Sequence, residues 1–347
     1  MDTIGLDLHK RESQLCIGTD AGAIQEQRIV TSAERFTAVL GDRPRARILL
    51  EASTESGWVA RHLESLGHEV IVADPNFAPM YATRSRRTKT DRRDARTLME
   101  ACRLGAYRVA HRVSDARRHV RAELAVREAL VRTRTRYVSI AKAFVRRDGM
   151  RVANSESHLV AERIADLPLS PTLSAELAPL FTIVGPLNEQ IAAADARLIA
   201  LTKHDPIVAL LATAPSIGPV TACAVVATAD DITRFASAHQ FEAFLGLVPA
   251  ERSSGEKRRV GRITKAGNAR VRYLLVEAGW RILRAKSPET AALRAWGERI
   301  AARRGKRIAV VAIARRLAGI LFAMWRDQRA YDASQLRRPR VPLTQAS

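Results

Sequence analysis

Ile4-Gly5-Leu6-Asp7-Leu8, Gln14-Leu15-Cys16-Ile17-Gly18 and Gln27-Arg28-Ile29-Val30 open this 347-residue chain as three short strands in quick succession. The gaps between them leave no room for helices, and Gly18 to Gly22 (Gly-Thr-Asp-Ala-Gly) supplies a turn between the second and third. A helix over Ala33–Leu40 follows, with Ser32 as its N-cap. Next come an apolar strand, Arg47-Ile48-Leu49-Leu50-Glu51, a helix Gly57–Leu66 stopped at Gly67, and a strand Glu69-Val70-Ile71-Val72-Ala73. A doubly wound dinucleotide fold is excluded, because it needs helices between its first strands.

Three meandering strands, then helix, strand, helix, strand, is the order of a ribonuclease-H-like (junction-resolvase-like) α/β domain. Beyond Asp74-Pro75 the composition turns basic. Arg84, Arg86, Arg87 and Lys89 lead into a helix over Thr90–Arg103 closed by Gly105. One long helix is expected over Asp115–Val145, where Leu124, Val131, Val138 and Val145 recur every seven residues. Leu180, Val184, Leu187, Ile191, Ala194, Leu198 and Leu201 form a second stripe with the 4-3 spacing of a coiled-coil seam. Gly185-Pro186 within it places a helix start at Pro186. Pro168, Pro171 and Pro179 make Gly149–Pro179 read as a connection or short helices, and the two long helices as antiparallel arms.

From Asp205 onward helices dominate. Ala214-Pro215-Ser216-Ile217-Gly218-Pro219 is similar to the hairpin of a helix-hairpin-helix element, in which N–H groups at a helix start face a phosphate. Ser253–Lys265 reads as a basic loop, followed by helices over Asn268–Ala285, Pro288–Ala302 and Arg307–Arg326. The expected division is a ribonuclease-H-like domain at 1–113, a helical coiled-coil arm at 114–204, a mostly helical domain at 205–333, and a disordered basic tail at 334–347.

Charge narrows the function. The chain carries 57 Lys and Arg against 36 Asp and Glu, a net +21, yet residues 1–75 alone hold 8 bases and 12 acids. An acidic lobe joined to a strongly basic one divides the labour between metal binding and phosphate binding. No run of about 18 apolar residues argues for a membrane span, so no membrane partner is expected. Cys16, Cys102 and Cys223 stand far apart, which argues against a disulfide framework or a cysteine zinc site and fits a reducing cytoplasm.

Asp7 sits in mid-strand between apolar neighbours, and Glu51 ends an apolar strand. A buried lone carboxylate costs several kcal/mol unless it is paired or binds a metal. Asp91 and Asp94 lie three apart on one helix face. Singly, the helix acids would merely complement a helix N-terminus, about 0.3–1 kcal/mol each. Together the four describe a site for Mg²⁺ or Mn²⁺ of the kind used in phosphoryl transfer. Arg86, Arg87, Lys89, Arg92 and Arg93 surround it and would hold a nucleic-acid backbone. His9 is weighed as a fifth ligand and set aside as a surface or packing histidine.

Ile4-Gly5-Leu6-Asp7-Leu8-His9-Lys10, Leu50-Glu51-Ala52-Ser53 and Lys89-Thr90-Asp91-Arg92-Arg93-Asp94-Ala95 resemble the DEDD motifs of the one-ten insertion-sequence family of transposases. The resemblance continues through Phe244-Leu245-Gly246-Leu247-Val248-Pro249, Ser253-Ser254-Gly255, Gly261–Asn268 and Val271-Arg272-Tyr273-Leu274-Leu275. Members of that family act as bridge-RNA-guided DNA recombinases. The resemblance implies that Asp7, Glu51, Asp91 and Asp94 are the metal-site acids and Ser254 the nucleophile, with Ser253 its competitor. It further implies a phosphoserine intermediate, donor and target DNA and a noncoding bridge RNA as partners, and a homo-oligomer, dimer or tetramer, in which serine and acids meet across protomers. A prokaryotic, cytoplasmic, nucleoid-associated location follows from the same resemblance. Around the serine, Lys257, Arg258, Arg259, Arg262 and Lys265 can neutralise phosphates. The family usually has glycine where this chain has Ser216. Aromatics are only 5% of the chain, too few for a stacking platform to be the main reader of bases. The rival reading is a metal-dependent junction nuclease that hydrolyses branched DNA with the same acids and no serine adduct.

Overall fold

The structure, a computed structural model, describes residues 1–82, 90–153, 155–251 and 260–334. It divides into two compact units, Met1–Val113 and the chain from Ser114 onward.

The first unit is built on a five-stranded sheet of β1 (Thr3–Leu8), β2 (Glu12–Gly18), β3 (Ile24–Val30), β4 (Arg47–Glu51) and β5 (Glu69–Ala73) in the order β3-β2-β1-β4-β5. β1, β2 and β3 pair antiparallel, while β1, β4 and β5 run parallel. Side chains alternate between faces along each strand. Ile4, Leu6, Leu15, Ile17, Ile48 and Leu50 therefore bury together against Phe36 and Leu40 of α1 (Ala33–Leu40) and Val59 and Leu63 of α2 (Ser56–Ser65). The opposite face, with Leu49 and Ala73, is covered by Leu98, Ala101 and Cys102 of α3 (Asp91–Leu104) and by Met80 of a 3₁₀ turn, Ala78–Tyr81. Ser32 caps α1 as expected, accepting from the Arg35 N–H at 3.3 Å. Thr90 caps α3, and Gly105 ends it in the left-handed region at φ 65°. Arg86, Arg87 and Lys89 lie outside the described residues.

The second unit begins with α4 (Asp115–Arg147), a six-residue α5 (Val160–Ala165) and α6 (Pro171–Thr202). Glu123 pairs with Arg197, Arg127 with Asp195 and Arg147 with Glu176, so one helix ascends as the other descends. The arms are antiparallel. The seam residues Val184, Ile191, Ala194 and Leu198 are buried, and Leu173 and Leu177 extend the stripe. The expected start at Pro186 is corrected, since α6 runs unbroken from Pro171. Ser170 caps it and Pro171 occupies the first turn, where its missing N–H costs nothing. Pro179 and Pro186 sit on the exposed face, so the carbonyls they leave without a helical donor, at Ala175 and Thr182, meet water.

Next come α7 (Pro206–Leu211), α8 (Pro219–Ala229), α9 (Ala238–Phe244), the two-stranded sheet of β6 (Pro249–Glu251) and β7 (Val260–Ile263), α10 (Ala269–Arg284), α11 (Ala291–Arg304) and α12 (Lys306–Asp327). Most of what reads as a loop before Lys265 is thus framed by a β-hairpin whose tip, 252–259, lies outside the described residues. α12 has an 18-residue window of mean hydropathy 1.8, long and apolar enough to cross a bilayer by composition. More than half of that window is buried: Ile313, Leu317, Leu321 and Phe322 pack with Phe241 and Leu275 in the core of this unit. Ser216 sits at φ 61°, a left-handed conformation suited to glycine.

Candidate metal centre and the serine hairpin

The register of the sheet assembles the acids. Leu6 lies opposite Leu50 on the parallel pair β1 and β4, so Asp7 and Glu51 are the next residues of adjacent central strands. Alternation puts both on the α3 face. α3 reaches that face because of Gly5: a Cβ there would stand 2.0 Å from the Ala95 carbonyl oxygen and 2.3 Å from the Met99 nitrogen. Helix backbone rests directly on strand backbone. The first turn of α3, carrying Asp91 and Asp94, is thereby brought to the C-terminal end of β1.

Asp7, His9 and Asp91 bring ligand atoms within 4.8 Å of one another. His9 Nε2 stands 3.2 Å from Asp7 Oδ2 and 3.6 Å from Asp91 Oδ1. Asp7 is largely buried, and its Oδ2 has no hydrogen-bond partner, since the His9 approach lacks hydrogen-bond geometry. Burial pushes the Asp7 carboxyl up to about 6; His9 opposes the shift, and the charges of Asp94, Asp91 and Glu51 add to it. All four acids therefore share one electrostatic neighbourhood, although Glu51 and Asp94 fall outside the tight group. Glu51 accepts a hydrogen bond from the Tyr81 hydroxyl at 2.7 Å.

The donor set fits a hard divalent cation. Such ions take carboxylate oxygens, and a buried oxygen without a donor has a lone pair ready for one. Sequence reasoning missed Tyr81, and it set His9 aside after weighing it as a fifth ligand. His9 lies two residues past Asp7 on the same side of the chain, and that parity was the available signal. Tyr81 carries no signal, because its approach to Glu51 spans 30 residues of chain. Of the basic residues expected to grip nucleic acid here, Arg92 is ion-paired with Glu26 on β3.

In the second unit, Ser253, Ser254, Lys257, Arg258 and Arg259 lie outside the described residues, but the stem that carries them is described. Two glycines interlock at its base. Gly246, at φ 69°, would place a Cβ 2.0 Å from the Ala266 oxygen, and Gly267, at φ 75°, would place one 1.9 Å from the Phe244 oxygen. The Thr264 N–H donates to Val248 at 2.9 Å and the Lys265 N–H to Gly246 at 3.1 Å. Arg272 donates to the carbonyls of Leu245 and Ala266, both at 3.1 Å. Arg262 and Lys265 lie along this stem and bend, both exposed or half-exposed.

An α/β unit gathering carboxylates at its central strand ends, followed by a basic, largely helical unit, defines a chain built for acidic-site chemistry on a polyanion. Comparison with known proteins narrows the class. Residues 4–147 match the transposase model DEDD_Tnp_IS110, and residues 208–294 match the model described as "Transposase IS116/IS110/IS902 family". The chain is 30% identical to y4pF/y4sB of Sinorhizobium fredii, a protein named as an inferred transposase, covering 96% of this chain and 86% of that one. It is 27% identical to the transposase for insertion sequence element IS1111A of Coxiella burnetii, covering 94% and 90%. It is 28% identical to the transposase for insertion sequence element IS1328 of Yersinia enterocolitica, covering 92% and 96%. The chain belongs to the IS110 family of transposases. Membership implies DNA strand cleavage and transfer, and DEDD transposases are typically metal-dependent.

Proposed function

We propose that this transposase cuts and rejoins DNA through a phosphoserine intermediate on Ser254, with a divalent ion, Mg²⁺ or Mn²⁺, held by Asp7, Glu51, Asp91 and Asp94 in a ribonuclease-H-like domain. The observation that carries the reading is the buried Asp7 carboxylate, its Oδ2 without a donor and Asp91 beside it. The sheet order supports the fold assignment, with three antiparallel strands continued by two parallel ones.

When bound, the ion supplies positive charge to the scissile phosphate and its leaving oxygen. Asp7, Glu51, Asp91 and Asp94 of the first unit would hold it, the buried, unpartnered Oδ2 of Asp7 offering a lone pair to a cation. Tyr81 orients Glu51 by its hydrogen bond. The Ser254 Oγ forms a bond to phosphorus as one backbone P–O bond breaks; the serine proton leaves, and a DNA hydroxyl departs. The phosphoserine ester keeps the bond energy for rejoining, when a hydroxyl of a new DNA partner attacks and Ser254 is released. Arg262 and Lys265, with Lys257, Arg258 and Arg259, neutralise backbone charge near the serine. A noncoding bridge RNA chooses donor and target by base pairing, which suits a chain with few aromatics. The protein works as a homo-oligomer in a prokaryotic cytoplasm, with the antiparallel arms as part of its assembly.

The test is a strand-cleavage assay with full-length protein, its co-purified RNA, DNA carrying the element ends, and Mg²⁺. Ser254→Ala removes both the covalent DNA adduct on a denaturing gel and all cutting, and Asp7→Asn does the same. Cutting that survives Ser254→Ala overturns the phosphoserine reading in favour of a hydrolytic junction nuclease. Sequencing the co-purified RNA tests guidance: heterogeneous cellular RNA, with no species matching the element ends, overturns it.

A further inference from the structure

The acidic site contains one group that the four-carboxylate reading does not use. His9 lies two residues beyond Asp7, and the parity of β1 carries both toward α3, while Leu8 between them packs into the opposite core. The His9 Nε2 stands 3.2 Å from Asp7 Oδ2 and 3.6 Å from Asp91 Oδ1, and the three ligand atoms lie within 4.8 Å of one another. The turn that presents the ring is tied down from behind. The Thr31 hydroxyl donates to the His9 carbonyl at 2.8 Å and lies 2.6 Å from the Ser13 hydroxyl. The Thr31 N–H donates to the Arg11 carbonyl at 2.9 Å. The backbone on both sides of Lys10 is thus anchored to the end of β3, and the position of the imidazole follows from it.

A plain ion pair does not account for this arrangement. A histidine that served only to neutralise Asp7 would turn an N–H onto its carboxylate. Here the approach lacks hydrogen-bond geometry, and Asp7 Oδ2 is buried without a donor. Two ligand atoms in adjacent octahedral positions, each about 2.1 Å from one ion, stand about 3 Å apart. The separation of His9 from Asp7 is close to that value. The side chains of His9 and Asp91 are both more than half exposed, so they have room to close the small remainder between them. A ring nitrogen and two carboxylate oxygens at such spacings are arranged as ligands of a shared ion.

We propose that His9 is a nitrogen ligand of the metal centre, through Nε2, and that it makes the centre prefer Mn²⁺ to Mg²⁺. The inference rests on the reading of Asp7, Glu51, Asp91 and Asp94 as the acids that hold the ion. Magnesium takes oxygen ligands in near-ideal octahedral order and gives up its waters reluctantly. First-row transition ions accept an imidazole nitrogen beside carboxylates more readily. The imidazole also adds a ligand without adding negative charge, in a place where the charges of Asp94, Asp91 and Glu51 already bear on Asp7. His9 would therefore decide which divalent ion the acids retain.

The full-length, metal-stripped protein is titrated with Mn²⁺ by electron paramagnetic resonance, with Mg²⁺ as competitor, for the wild type, His9→Gln and Asp7→Asn. Pulsed measurements on the bound Mn²⁺ read directly whether a nitrogen nucleus is coordinated. The wild type binds Mn²⁺ about tenfold or more tightly than Mg²⁺ and shows the nitrogen signal. His9→Gln loses that signal and about tenfold in Mn²⁺ affinity, with Mg²⁺ affinity little changed. Matching melting temperatures of the metal-free proteins verify that the variant folds, as expected for an exposed side chain. Mn²⁺ bound in an Asp7-dependent way but without a nitrogen signal, or with one that survives His9→Gln, overturns the role of His9 and leaves the acid site standing. No Mn²⁺ binding, or binding that Asp7→Asn leaves unchanged, overturns the acid site and the His9 ligation with it.

Discussion

The candidate metal centre and the stem of the serine hairpin both depend on glycines that let backbone touch backbone, yet they use the contact differently. Under α3, Gly5 has an ordinary strand conformation, and what matters is the missing side chain: the helix settles on the sheet and delivers Asp91 to Asp7. At the hairpin base, Gly246 and Gly267 combine close approach with positive φ, so no L side chain fits either their space or their conformation. The first device brings carboxylates together across elements. The second fixes the stem from which the residues proposed to react extend. A carboxylate cluster needs convergence of distant chain segments, whereas a loop nucleophile needs a rigid base.

Seven substitutions sharpen the contrast, starting with the largest effect. Asp7→Asn lowers strand cleavage by about 10³-fold or more, the loss of several kcal/mol of charge stabilisation. The same change stabilises the metal-free protein at pH 8. Because folding raises the Asp7 carboxyl from 3.8 to about 6, the folded state holds a proton that the unfolded chain releases. Stability from this group is present at pH 4, falls as pH rises through 6, and leaves a cost on the order of 2–3 kcal/mol above that. Urea midpoints at pH 4.5 and 8 should converge in the variant; an unchanged difference between the two pH values would show that Asp7 is not the buried titrating group.

Gly267→Ala and Gly246→Ala each destabilise the second unit by about 3–5 kcal/mol, combining a backbone clash with left-handed strain. Gly5→Ala costs about 3 kcal/mol by the clash alone and also weakens metal binding, because α3 must lift. Gly22 is the control: its φ is 85° but nothing lies within 4 Å of a Cβ there. Gly22→Ala therefore costs only about 1–2 kcal/mol of conformational strain. Similar losses at all four positions would refute the role given to close approach.

Tyr81→Phe frees Glu51 from its orienting hydroxyl, and the Mg²⁺ concentration giving half-maximal cleavage rises about tenfold with little change in the maximal rate. A drop in maximal rate at saturating Mg²⁺ would instead place Tyr81 in the chemistry. The smallest effect is at Ser216. Relieving φ 61° with Ser216→Gly gains about 1 kcal/mol, partly offset by the greater freedom of glycine in the unfolded chain. A net stabilisation of about 0.5 kcal/mol is expected in thermal denaturation.

Alternation and capping made much of the first unit legible. The ends of α1, β4 and β5 fall where the pattern of apolar residues, Ser32 and the turn glycines put them. Asp7 stood out for the same reason, since a carboxylate inside an apolar strand contradicts its surroundings. α6 was misread because proline and glycine act as breakers only where the helix needs the lost hydrogen bond, and exposed positions do not. His9 was passed over because a histidine at a strand end looks the same whether it faces water or an acid.

By itself the sequence determined the strand and helix order, the carboxylates that do not belong in apolar strands, and the separation of acidic from basic charge. These are local properties, set by periodicity and by side-chain chemistry. Only the tertiary structure decided that His9 joins Asp7 and Asp91, that Tyr81 holds Glu51, and that Gly246 and Gly267 interlock. Each of those facts is a distance between residues far apart in the chain. Such distances follow from how whole elements pack, which no local pattern encodes.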